Sequence, residues 1–441
     1  MKNAAKGLLT ILLVILIAAL MFIVISHYIV LRPSQEPETT PPPSGLPVAT
    51  PPPETPDVTD IPKLSPSGET VGMRLAVAGD MVIHSGLNQE ALQADGSYDY
   101  TTIFQGAQDY VNSADYAVAT LETTFAGTAE FTGYPQFKSP DGLASSLQTL
   151  GFDLINTASN HAMDSYKGGL FRTLDVLDEA GLAHVGTYRS QEARDESSGI
   201  QVVEVNGIKI AFLAYSYGTN GIPLDSGYEY ALNLFYKDYM TNQSVIDYDL
   251  LDADMAAARE CGADLIAVFM HWGLEYQTTP SADQYELADY LFQQGADLIL
   301  GGHTHVPQPM ELREVTDLDG NKKTGYICYC LGNLVSCQVD QNTNLTALVN
   351  IDIEKDLGSG EAYITGVSYV PMYMMNLYDY GVMDAGWRYR LLDIYASMDA
   401  YENGTSDFLT ESMYNSLKEG LQTIHSIMGE ELDAHGASTT E

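Results

Sequence analysis

Five segments of the chain share one shape: an apolar run that stops abruptly at residues able to bind a metal or move a proton. They are Arg74-Leu-Ala-Val-Ala-Gly-Asp80, Tyr116-Ala-Val-Ala-Thr-Leu-Glu122, Asp153-Leu-Ile-Asn-Thr-Ala-Ser-Asn-His161, Asp264-Leu-Ile-Ala-Val-Phe-Met-His271 and Asp297-Leu-Ile-Leu-Gly-Gly-His-Thr-His305. Short runs of Val, Ile and Leu read as strands buried on both faces. In open α/β sheets, ligands bind beyond the carboxyl ends of such strands. Asp80, Glu122, Asn160, His161, His271, His303 and His305 are therefore set to converge. Each alone has a plainer explanation. A strand-end Asp is usually a turn or helix cap, and a His after an apolar strand is usually a hydrogen-bonded core residue. Their agreement is what counts: four of the chain's 9 His fall in this set. Asp, Glu, Asn and His without Cys suit a hydrolytic metal centre and not a structural zinc clip.

Between these runs lie amphipathic helical stretches at 101–112, 143–150, 168–179, 252–260 and 282–294. The repeated Gly-Phe/Ala-Asp-Leu-Ile marks a helix ending at Gly and a strand beginning. These βα units predict a largely parallel α/β core. Asn206-Gly207 between alternating runs predicts a hairpin. The strands predicted at 325–331, 345–353 and 362–369 have no long helices between them, which favours a mixed sheet or two packed sheets with helices outside. Residues 221–245, rich in Tyr and Asp, read as an insertion beside the site, and 387–428 as two helices.

The formal net charge is −39, from 59 acidic and 20 basic residues. That excludes a nucleic-acid partner, whose binding rests on Lys and Arg contacts to phosphate. Residues Gly7 to Leu31 contain no charged side chain, enough for a helix across the ~30 Å hydrocarbon core. Lys2 and Lys6 precede the run, and Glu36 and Glu38 follow it. The positive-inside rule then keeps residues 1–6 in the cytoplasm, makes 7–31 a single-pass signal anchor in the cell membrane, and puts the ectodomain outside the cell. A cleaved signal peptide would have a shorter apolar region. Residues 32–72 hold twelve of the 19 Pro and read as a disordered stalk. Cys261, Cys328, Cys330 and Cys337 would lie outside the membrane, where a disulfide is permitted, and their spacing has no metal signature.

The ordered string Gly79-Asp80, Leu121-Glu122, Ser159-Asn160-His161 with Asp164, His271-Trp272-Gly273-x-Glu275-Tyr276, Gly302-His303-Thr304-His305 with Gln308, and Leu331-Gly332-Asn333 resembles the CapA family of poly-γ-glutamate capsule biosynthesis proteins. That family is related to the calcineurin-like metallophosphoesterases. The resemblance covers about residues 73–375 and leaves 376–441 as a C-terminal helical extension and tail. It implies a four-layer α/β/β/α sandwich at a bacterial surface. It also implies one or two divalent ions (Mn, Zn or Fe) held by Asp80, Glu122, Asn160, His271, His303 and His305, with His161 and Asp164 as catalytic residues. Trp272, Glu275 and Tyr276 would line the substrate rim. The sequence departs from the phosphoesterase pattern at Val82, where a His ligand is usual, and at Glu122, where an Asp is usual; the Asp80 position is therefore short of a ligand. His84 stands nearby as a candidate substitute. Three activities fit this resemblance: a phosphoesterase-like hydrolase acting on a cell-envelope polymer, a non-catalytic subunit that exports or anchors an anionic polymer beside capsule-synthesis membrane proteins, and a γ-glutamyl amide hydrolase.

Overall fold

The computed structural model describes residues 68–127, 130–318 and 320–435. The expected anchor at 7–31 and nearly all of the expected stalk lie outside the described residues. Among the described residues no helix is long and apolar enough to cross a membrane.

Two sheets form the centre. The first is built from β1 (Thr70–Val82), β2 (Tyr116–Glu122), β3 (Leu154–Asn156), β4 (Ala183–Val185), β11 (Asn333–Val335), β12 (Leu345–Asp356), β13 (Ala362–Asn376) and β14 (Tyr389–Asp393). Its order is β14-β13-β12-β1-β2-β3-β4, with β11 also on β1. The second contains β5 (Gln201–Val205), β6 (Ile208–Ser216), β7 (Leu265–His271), β8 (Leu298–Gly302), β9 (Met310–Thr316) and β10 (Lys322–Cys328), in the order β5-β6-β7-β8-β10-β9. Both are mixed. β1 to β4 run parallel, as do β6, β7 and β8, while the later strands add antiparallel edges.

Side-chain alternation explains the layering. Successive strand residues face opposite sides. Leu75 and Val77 of β1 join Ala267 and Phe269 of β7 and Leu298 and Leu300 of β8 in one core between the sheets. The intervening Ala76 and Ala78 face α2 (Gln105–Ser113), α3 (Gly142–Leu150) and α4 (Tyr166–Glu179) through Val111, Leu147 and Leu177. On the far side, Ile266 and Val268 face α6 (Tyr248–Glu260) and α7 (Ala282–Gln293) through Met255 and Leu287. Short α1 (Ser85–Ala91) and α5 (Gln191–Ser197) complete the helices that precede α6. Helix, sheet, sheet and helix thus stack as four layers.

An Asp at or just before the start of four of these runs has a local task. Asp115, Asp153, Asp264 and Asp297 each accept a hydrogen bond, of 2.7–2.8 Å, from a backbone N–H of the neighbouring strand, at Arg74, Ala117, Lys209 and Ile266 respectively. These bonds fix the parallel register at the amino ends and so align the carboxyl ends. The hairpin at Asn206-Gly207 forms as expected, both residues having positive φ (53° and 83°), as its tight turn requires.

Two expectations need correction. The expected stalk overlaps the sheet, since β1 already begins at Thr70. The expected boundary at 375 divides one structure. β14, within the segment read as helical, pairs with β13, and it is followed by α8 (Ile394–Glu402) and α9 (Glu411–Met428). Met413, Leu417, Ile424 and Met428 of α9 pack in the core between the sheets, against Tyr369 and Tyr373 of β13. All four Cys are free thiols.

Candidate metal centre

Asp80 and Glu122 stand at the ends of the adjacent parallel strands β1 and β2, and His271 ends β7. His303 and His305 follow β8 directly, in a turn with φ of 92° and 62°. A left-handed backbone is uncommon for any residue with a Cβ and marks a strained, specified turn. Gly302 is required here because a Cβ would run into the Asp80 carboxylate. That close approach lets Asp80 Oδ2 accept the His303 backbone N–H at 2.7 Å, which links the two sheets at the site.

All six expected ligand residues are at most 3% exposed. Ligand atoms of Asp80, Glu122 and His305 lie within 4.8 Å of one another, and those of Glu275, His303 and His305 form a second such group. His271 Nε2 lies 2.8 Å from Asn160 Oδ1 and 3.8 Å from Glu122 Oε1. The His271 and His303 ring centres are 4.9 Å apart. Asp80 Oδ1, both Glu122 oxygens, His271 Nδ1 and His303 Nδ1 are buried without a hydrogen-bond partner. Each unsatisfied buried group costs about 1–3 kcal/mol. A divalent cation would satisfy this concentration of orphaned donors, so the residues fit a metal.

Burial pushes the Asp80 carboxyl up to about 7, against the lowering effect of the His303 N–H. Glu122 is raised well above the usual range, by burial first and then by the charge on Asp80. The imidazoles move the other way. Burial and then mutual repulsion hold His271 and His303 well below their usual value, and His305 falls to about 4, chiefly through burial. Neutral imidazoles are the form that ligates metal. His305 Nδ1 donates to Asn333 Oδ1 at 2.9 Å, which orients the ring and leaves Nε2 bare. Asn333 is held in turn by its own donation to Ser336 Oγ, Gln338 Oε1 and the Thr343 carbonyl.

His161 lies beside this cluster. Its Nδ1 donates to Asp164 Oδ2 at 2.8 Å, and that oxygen also accepts the Phe137 N–H at 2.6 Å. The pair fixes the ring so that Nε2 is the free nitrogen. Glu275 and Tyr276 are partly exposed at the mouth, and the Tyr276 ring is 6.1 Å from His305. Trp272 is a correction. It is 1% exposed, packs in the outer core behind β7, and donates Nε1–H to the Tyr329 carbonyl at 2.9 Å. It has no face to offer a substrate. His84 Nδ1 is engaged with the Val82 carbonyl and the Cys337 N–H, and Phe137 packs edge-on between His84 and His161.

Tyr217 and Asn220 are site residues that the sequence reading missed. Tyr217 packs on His303 at 4.4 Å. Asn220 accepts from Asn160 Nδ2 at 3.0 Å, and its own Nδ2 lies 3.3 Å from His161 Nε2. Both follow β6, which ends at the same edge of its sheet as β7. The apolar run of β6 ends at Ser216-Tyr217, without the Asp, Glu or His that marks the other strand ends.

A family model described as "Bacterial capsule synthesis protein PGA_cap" matches residues 74–338. The chain is 31% identical over 221 residues to the PGA biosynthesis protein CapA of Bacillus subtilis (strain 168), covering 50% of this chain and 52% of that protein. It is 25% identical over 290 residues to the capsule biosynthesis protein CapA of Bacillus anthracis, covering 64% of each. The chain thus spans between half and two thirds of the length of these relatives. Among solved structures it is similar to a 5'-nucleotidase precursor from Thermus thermophilus, with 14% identity, TM-score 0.40 and coverage of 80% of this chain and 58% of that one. A phosphatase of Mycoplasma pneumoniae is similar at 15% identity and TM-score 0.39, with coverage of 68% and 93%.

The raised Asp80 carboxyl sets a pH dependence for metal binding. A carboxyl must lose its proton to ligate, so with its value near 7 the proton competes with the cation below that pH. His305, at about 4, does not compete there. Divalent-ion affinity is expected to fall about tenfold per pH unit for each proton displaced below 7. Calorimetry at pH 6 in buffers of different ionisation enthalpy should register proton release. Equal heats in all buffers, with affinity constant between pH 5.5 and 7.5, would contradict it.

Proposed function

The chain belongs to the bacterial capsule synthesis protein family PGA_cap, and from that footing we propose that its converged carboxylates and imidazoles form a divalent-metal hydrolase centre for a phosphoester of a cell-envelope polymer. The observation that carries the reading is the set of orphaned buried atoms on Asp80, Glu122, His271 and His303. Asp80, Glu122, Asn160, His271, His303 and His305 would hold one or two ions of Mn, Zn or Fe. A bound ion would polarise the scissile oxygen and lower the pKa of a bound water.

The chain's own residues supply the rest. Asn160 and the three imidazoles are neutral donors, so they leave the ion's charge available to an anionic substrate. The His303 N–H holds the Asp80 carboxylate in one orientation. Asp164 fixes the His161 ring, and Nε2 is the atom from which a leaving oxygen would take its proton. Asn220 Nδ2, beside that nitrogen, marks where a substrate polar group would sit.

The names of the two Bacillus relatives favour a second reading, a subunit that handles an anionic polymer without turnover. The charge of −39 opposes it, because a polyanion is repelled unless cations intervene. We also place the folded part outside the cell on a single-pass anchor, on the strength of the uncharged run from Gly7 to Leu31 and the Lys residues before it.

His161→Asn is expected to lower hydrolysis of a responsive substrate by about 10²–10⁴ while leaving metal content unchanged. The assay is elemental analysis of the purified chain together with turnover of phosphomonoester, phosphodiester and γ-glutamyl substrates. A metal-loaded chain inactive on all three would favour the polymer-handling subunit, and cleavage of γ-glutamyl substrates alone would favour an amide hydrolase. Protease added to intact cells should remove the folded part, whereas full protection would overturn its external placement.

A further inference from the structure

His305 belongs to two groups of ligand atoms at once, one with Asp80 and Glu122 and one with His303 and Glu275. Glu275 lies on the loop after β7, the strand next to β8, with Oε1 at 3.9 Å from His305 Nε2. That nitrogen is the bare one, since Asn333 takes the proton of Nδ1. The loop is tied to the His303–His305 turn by two backbone bonds, Trp272 N–H to the Gly302 carbonyl at 3.3 Å and Tyr276 N–H to the Thr304 carbonyl at 2.8 Å. The Trp272 indole, bonded to the Tyr329 carbonyl, anchors the start of the loop in the outer core. The Glu275 backbone is therefore held in one frame with both His, and its side chain, about half exposed, keeps the freedom to swing onto an ion.

We infer that Glu275 is a metal ligand that forms, with His303 and His305, a second position beside the one that Asp80, Glu122 and His305 form. The inference rests on the metal-centre reading above and adds a residue and a cation class to it. Asp80 and Glu122 with His305 form an oxygen-rich set that favours a harder ion such as Mn2+, whereas Glu275 with His303 and His305 forms an imidazole-rich set suited to Zn or Fe. The two positions differ in chemistry as well as in place.

The test uses the full-length chain in detergent, stripped with a chelator and titrated with Mn2+, with free Mn2+ followed by electron paramagnetic resonance and Zn2+ added in competition. Glu275→Gln is expected to weaken one equivalent of Mn2+ at least tenfold and leave the other unchanged. Glu275→His should restore the number of bound ions while shifting that position's preference further toward Zn2+. The exposed side chain makes both changes tolerable to the fold, which the unfolding temperature of the stripped proteins checks. Superimposable Mn2+ isotherms for native chain and Glu275→Gln would overturn the role of Glu275. A native chain that binds neither Mn2+ nor Zn2+ would overturn the metal centre itself, so the two failures are distinct.

Discussion

The structure is organised around a carboxyl group buried beside a second one, Asp80. Glu122 is fully buried at the end of β2, and neither of its oxygens receives a hydrogen bond. A protein interior tolerates such a group only where something else compensates. The surrounding groups are Asp80 from the same sheet and His271 and His305 from the other. Two sheets must therefore present their strand ends to one point. The register bonds made by Asp115, Asp153, Asp264 and Asp297, the Gly302 approach to Asp80, and the left-handed turn at His303 and His305 all serve that requirement.

The opposite pKa shifts of the carboxyls and imidazoles follow from the same constraint. Burial penalises charge of either sign, so the carboxyls retain protons and the imidazoles refuse them. A cation reverses the balance for the carboxyls and leaves the imidazoles in their ligating form. His161 and Asp164 are set apart as a separate pair, held by the Phe137 N–H.

Much of this was legible in the residues. Runs that end at Asp80, Glu122, His271 and His303 are continuous apolar strands buried on both faces, and the polar residue that ends each run marks where the strand stops. The helices between them and the Asn206-Gly207 hairpin were legible in amphipathic spacing and turn residues, whereas the residues left a mixed sheet or two packed sheets open and the family resemblance pointed to the sandwich. What escaped depended on contacts between distant segments. Trp272 was read as a rim residue because it follows His271, yet alternation along the chain turns it to the outer face, where the Tyr329 carbonyl takes its N–H. Glu275 was read only as a substrate contact, because its approach to His303 and His305 depends on cross-loop backbone bonds that spacing does not encode. β14 was missed because five residues between helical stretches make a weak strand signal, and pairing with β13 decides it.

The most direct measurement is the unfolding temperature of the full-length chain and of Glu122→Gln, each with and without saturating Mn2+. Burial raises the Glu122 carboxyl above its usual range, and Gln keeps its shape without a charge to bury, so Glu122→Gln should unfold at a temperature no lower than that of the native chain without metal. At about 100 times its dissociation constant an ion stabilises the native chain by about 2.7 kcal/mol. The native chain should show that rise and Glu122→Gln should lose most of it. An equal rise in both, or none in the native chain, would contradict a metal centre built on Glu122.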